Sequence, residues 1–248
     1  MKNALLRTLS LWAASGGLLL LVGCSRSIEV NYPSPSTSLG STTTAAAPRN
    51  LSIGVTRLED RRSIVDPSDP QSEGYVGVQQ SWKFGMTFRG RDYFPIKDLV
   101  QTVLLEELQK AGFQGRPIDR AVSRQNVEDV KAAGKQAGAD YVIVGEVLAF
   151  EWINDVGFWT VDSRRTVTVS LSVIRVADGQ NMFEKVFTET QRENEGMGVL
   201  HSTNNQKLME VFSRVTDQVV REVAAKAGPV VKVASSAVVS GAATAAAK

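Results

Sequence analysis

The chain of 248 residues holds one cysteine, Cys24, and one histidine, His201, and no hydrophobic run reaches the roughly 20 apolar residues that a spanning helix needs. Each shortage closes a class of function. A single thiol has no partner for an intrachain disulfide. Zinc and calcium sites draw several ligands from short spacings, and only scattered carboxylates are present, so neither a metal nor a cofactor is expected. In "GVLHSTNNQ" the lone His201 stands beside hydroxyl residues. A nucleophilic dyad, however, needs a base within hydrogen-bond reach of the hydroxyl and a third group orienting that base, and adjacency in sequence supplies neither. The paired carboxylates Glu59-Asp60 and Glu106-Glu107 could be offered for acid/base work. The first pair runs into Arg61 and Arg62 and reads as an ion-paired strand end or turn; the second is expected on the solvent side of an amphipathic helix. No catalytic residue, and hence no enzyme, is expected. Net charge is also small, because the 28 Lys and Arg residues nearly balance the 26 Asp and Glu residues. The formal charge is +2, and Lys2 and Arg7 account for it, so the remainder is close to neutral and offers no sustained basic surface for nucleic acid.

What is present begins with "LLLLVGCSRS", residues 18–27. Upstream lie Lys2 and Arg7 without an acidic residue, then an apolar stretch from Leu11 to Val22. This is the layout of a secretory signal over residues 1–23. The quartet Leu21-Val22-Gly23-Cys24 resembles the lipobox of bacterial lipoprotein precursors, in which the cysteine is acylated and becomes the new N-terminus. The resemblance implies lipidation at Cys24 and attachment to a membrane without crossing it, since two or more acyl chains anchor stably at about 0.8 kcal/mol per buried methylene. Ser25, rather than aspartate, follows the cysteine. In the enterobacterial sorting rule this favours the outer membrane, with the protein facing the periplasm.

Residues 24–49 are rich in Ser, Thr, Pro and Ala and read as a disordered lipidated tether with an end-to-end distance of roughly 25 to 30 Å. Residues 228–248 form an Ala/Val/Ser low-complexity tail. One globular domain is expected between them, over residues 50–227. "LSIGVT" alternates as a half-buried strand, and "SWKFGMTF" places Trp82, Phe84, Met86 and Phe88 on one side of another. A helix is expected over 95–113, with Ile96, Leu99, Val100, Val103, Leu104 and Leu108 inward, Pro95 in its first turn and Gly112 at its stop. A second spans 122–137 with Val127 and Val130 as its apolar stripe. "YVIV" reads as a covered central strand. "TVTVSLSV" alternates Val167, Val169, Leu171 and Val173 inward, and Asp178-Gly179 turns the chain into "MFEKVFTET". A last helix over 203–226 aligns Leu208, Val211, Phe212, Val215, Val219 and Val223. The fold class is therefore α+β, a two-layer sandwich of mostly antiparallel sheet with helices packed on one face.

"FEWINDVGFWT" sets Trp152, Phe158 and Trp159 around a polar turn between two strong strands. They are the candidate partner-binding residues, because large aromatics dominate binding hot spots. The competing expectation is that these rings fold back and cap the core. Taken together, the lipobox, the opening strand ending in "LEDRRS", the helix ending in "LQKAGF" and "AGADYVIVGEVLAF" resemble the YajG-like bacterial lipoproteins. They also resemble a broader envelope group with the CsgG-like curli-channel and LpoB-like activator lipoproteins. The resemblance implies a non-enzymatic outer-membrane lipoprotein that binds envelope proteins. The alternatives are a subunit of a curli-type secretion channel and a carrier of lipid or a small ligand.

Overall fold

The structure, a computed structural model, describes residues 27–33, 50–196 and 201–227. The expected signal segment, Cys24 and the C-terminal tail lie outside them. In chain order the strands are β1 (Ser27–Glu29), β2 (Ser52–Thr56), β3 (Glu59–Asp60), β4 (Tyr75–Gln79) and β5 (Trp82–Thr87). Helix α1 (Ile96–Lys110), β6 (Gln114–Ile118) and α2 (Val127–Ala137) follow. The chain closes with β7 (Tyr141–Val156), β8 (Thr160–Arg175), β9 (Asn181–Gly196) and α3 (His201–Lys226). The class is α+β.

β7 organises the sheet. Along one edge it takes three short parallel partners end to end, β2 at Tyr141 to Ile143, β3 at Glu146 and Val147, and β4 at Trp152 to Asn154. Its other edge carries β8 in a long antiparallel ladder, and β9 continues from β8. β6 adds in parallel to β2, and β5 pairs antiparallel with β4. The long ladders are antiparallel as expected, whereas among the described residues five of the eight strand pairings are parallel. That mixture was hidden in the sequence because the parallel strands are short and their partners distant.

α1 and α3 cover one face with the side chains expected of them, and these meet Ile53, Val55, Ile143, Val147, Phe150, Val167, Val169, Leu171 and Val173 in the main core. α2 lies on the other face. Its Val130 and Ala133 join a smaller cluster with Val142, Val144 and Ile174, so the sheet is covered locally on both sides. The helix starts at Val127 rather than 122, because the Asn126 side chain caps it by accepting from the Asp129 amide at 3.2 Å. Val127 is exposed, which corrects its place in the apolar stripe. β2 is buried along its whole length rather than half-buried, since β6 and β7 flank it and Ile118 and Ala139 close over Gly54.

The expected tether is interrupted at residues 27–33. "SIEVNY" carries a short alternation that finds the open edge of β5: Ser27 lies opposite Gly85 and Glu29 opposite Thr87, and the Val30 amide donates to the Thr87 carbonyl at 3.1 Å. Val30 is buried, and the Tyr32 ring meets Phe212 of α3 edge-on at 5.5 Å. Burial pushes the Tyr32 phenol above its ordinary value of 10.0, although the Thr216 and Ser213 hydroxyls work the other way. Raised in the folded state, this group contributes stability in full below the unfolded value and loses it as pH rises beyond about 10. The unfolding midpoint of the wild type should therefore fall relative to that of Tyr32→Phe between about pH 9 and about pH 11. Equal midpoint changes in the two proteins would show that the phenol is not held in the docked segment.

Candidate functional site

Phe158 and Trp159 stand at the tip of the β7–β8 hairpin with 82% and 76% of their surface exposed, and their rings meet edge-on at 4.6 Å. The turn is closed by the Gly157 amide donating to the Thr160 carbonyl at 2.8 Å. Val156 beside them is 42% exposed, and Trp82, where β5 begins, is 49% exposed. Trp82 belongs to the same end of the sheet, because Gln79 pairs with Trp82 on one side and Asn154 on the other.

Trp152 departs from this group. It is fully buried, stacks on Phe84 with centroids 5.4 Å apart, and donates its indole N–H to Asn205 Oδ1 at 2.6 Å. A partner cannot reach it, so the expectation that it belongs to the binding surface is corrected. The cause is a β-bulge between Val147 and Ala149. Before the bulge Tyr141, Ile143 and Val147 face the main core; after it the alternation is reversed, and Phe150 and Trp152 face the same way. Gly77 on β4 makes room for the ring, since a Cβ there would sit 2.1 Å from Trp152 Cζ2. Phe158 and Trp159 lie beyond the end of the core and stay exposed.

A buried polar layer supports the hairpin where it leaves the core. The Arg165 guanidinium donates to Asn204 Oδ1 at 3.0 Å through Nε and to Glu193 Oε2 at 3.1 Å through Nη1; Lys207 also pairs with Glu193. Ser163 donates to Asn154 Oδ1 at 2.8 Å, Asn204 donates to the same oxygen at 3.3 Å, and Asn154 reaches Gln79 at 3.4 Å. These contacts join β4, β7, β8, β9 and the first turns of α3. A satisfied buried network rigidifies what it joins. A rigid support in turn lowers the ordering cost when an exposed tip binds something. The sequence gives no direct sign that Asn154, Ser163, Arg165, Asn204 and Asn205 meet in one buried layer; Asn154 and Arg165 read there only as polar positions of the hairpin. The only signal available was that polar residues occupy inward positions of otherwise apolar elements.

The other candidates are dispersed. His201 opens α3, and its side chain is not among those described. Glu106 is half-buried and pairs with Arg89, whereas Glu107 is buried against Lys110 at 2.7 Å, which corrects its expected place on the solvent side. Glu59 pairs with Arg61 at 2.8 Å, and Asp60 forms a buried pair with Arg62 at 2.7 Å, so this stretch is the ion-paired strand end that its sequence implies. Among the described residues, no three His, Cys, Asp or Glu side chains are grouped to hold a metal ion, and no helix is long and apolar enough to cross a membrane.

No family model matches the chain, and no curated protein matches it. The YajG-like resemblance therefore rests on its short motifs. Similar solved structures include protein XCC0632 from Xanthomonas campestris, of the family described as DUF330, at 12% identity and TM-score 0.43, with 79% of this chain and 91% of that chain covered. Another is the lipoprotein GNA1162 from Neisseria meningitidis, at 16% identity and TM-score 0.37, with 69% and 99% covered. A third is the LpoB C-terminal domain from Salmonella enterica, at 10% identity and TM-score 0.27, with 63% and 92% covered.

Proposed function

We propose that this chain is a lipid-anchored, non-enzymatic interaction module of the bacterial envelope, held at the outer membrane through Cys24 with its domain on the periplasmic side. It engages other envelope components through the end of the β7–β8 hairpin. The observation that carries this reading is the pairing of two largely exposed aromatic rings, Phe158 and Trp159, with a buried polar layer that ties the base of their hairpin to β9 and α3. An exposed Phe-Trp pair contributes little to folding. Presented on a rigid support, it has the character of a binding anchor.

The anchor is tested by Cys24→Ser. The variant should accumulate as an unprocessed precursor without acyl mass, while the wild type fractionates with membranes at its mature mass. A Cys24→Ser protein found in membranes at that same mature mass would rule out the lipoprotein reading.

A further inference from the structure

The docked segment at residues 27–33 changes where the membrane must lie. β1 runs parallel to β5, with Ser27 opposite Gly85 and Glu29 opposite Thr87, so the chain enters β1 from the Trp82 end of β5. That end is level with Gln79 and Asn154, the end from which the β7–β8 hairpin projects. Ser27 is fixed there by a 2.7 Å hydrogen bond between its hydroxyl and that of Thr87, in addition to the burial of Val30. Cys24 precedes Ser27 by three residues. Three residues of fully extended chain span at most about 11 Å. If Cys24 carries lipid, as proposed above, the bilayer surface is held close to this end of the sheet, and a 25 to 30 Å stand-off, roughly the reach of a free tether, is excluded.

The surface brought against the bilayer carries the exposed Phe, Trp and Tyr side chains of the described residues, Phe158, Trp159 and Trp82, with the exposed Val156 beside them. Tryptophan and phenylalanine suit the boundary between headgroups and acyl chains, where both rings can bury and the indole N–H can stay wet. We infer that Phe158 and Trp159 dip into the interfacial layer of the phospholipid leaflet carrying the Cys24 acyl chains, and thereby fix the orientation of the domain on the membrane. This rests on the lipid-anchor reading and names the surface that the hairpin meets. Insertion is shallow. Asp155 and Asp162 face each other across the hairpin just behind the tip, both exposed, and their carboxylates resist entry into hydrocarbon. The anchor makes even a weak contact effective, because a short linker turns it into an intramolecular event at high local concentration.

The test uses the mature lipidated chain in vesicles of phosphatidylethanolamine and phosphatidylglycerol that carry a nitroxide near the top of the acyl chain. Tryptophan fluorescence should be quenched. Trp159→Phe should lose most of that quenching, and Trp152→Phe should retain it. Phe158→Asp should also lose most of it without a change in melting temperature. Acylated protein that floats with the vesicles yet shows no quenching would overturn the tip insertion alone, as would quenching unchanged in Trp159→Phe. Crosslinking of the tip to an envelope protein, in place of quenching, would assign the surface to that protein instead. A chain without acyl mass that does not float would remove the anchor and this inference with it.

Discussion

Trp152→Ala is expected to lower the stability of the domain by about 3 to 5 kcal/mol, the cost of truncating a large buried aromatic side chain. Three losses coincide at this position. The indole leaves a cavity over Gly77, where no side chain is present to fill it. Phe84 loses its stacking partner, and Asn205 Oδ1 loses its donor in a buried setting. Denaturant unfolding measures the effect, with Phe158→Ala and Trp159→Ala as comparisons that should stay within about 0.5 kcal/mol of the wild type. A Trp152→Ala protein as stable as those two would mean that the ring does not hold the hairpin to α3.

An effect of similar size is expected at Arg62, on a different physical basis. Its guanidinium is buried and donates to Asp60 Oδ1 at 2.8 Å and Oδ2 at 2.7 Å, to the Glu73 carbonyl at 2.7 Å and to the Tyr75 carbonyl at 2.5 Å. One side chain thus ties β3 to the start of β4, and with a longer contact to the Phe150 carbonyl at 3.5 Å it reaches three backbone acceptors. Removing one partner of a buried pair costs about 3 to 5 kcal/mol because the other charge is left uncompensated, and Arg62→Ala should show this in denaturant unfolding. Arg62→Lys should not restore stability, since an ammonium cannot reproduce the planar fork that meets the carboxylate and these carbonyls. Wild-type stability in the lysine variant would reduce Arg62 to a simple counter-ion.

Much of the architecture was legible along the chain. The apolar residues that the 3.6-residue periodicity of α1 and α3 marks are all inward, and Val167, Val169, Leu171 and Val173 line the core as their alternation implies. Asp178-Gly179 turns the chain between β8 and β9, with Gly179 at φ +79°, a conformation that glycine adopts without strain. Shorter elements escaped. β1 is three residues long in a Ser/Pro-rich stretch, and β6 includes Pro117, which is tolerated because β6 lies at the sheet edge and, among the described residues, pairs only with β2. Neither length nor composition distinguishes such strands from loops. Their formation depends on an open edge supplied by β5 or β2.

The candidate site divides in the same way. The sequence by itself determined that "FEWINDVGFWT" is a hairpin with aromatic flanks, that a lipobox-like quartet precedes the domain, and that the long elements are amphipathic. Those properties are local: periodicity and turn chemistry are written within a few residues of the place where they act. Only the tertiary structure decided which aromatics are buried. A single extra residue near Leu148 inverts the alternation and sends Trp152 inward against the first turns of α3, while Phe158 and Trp159 lie farther along the hairpin and stay exposed. The tertiary structure also decided that Ser27 joins the sheet at the hairpin's own end. Register and strand pairing are set by contacts between residues far apart in the chain, so no local pattern specifies which end of the domain the segment that follows Cys24 reaches.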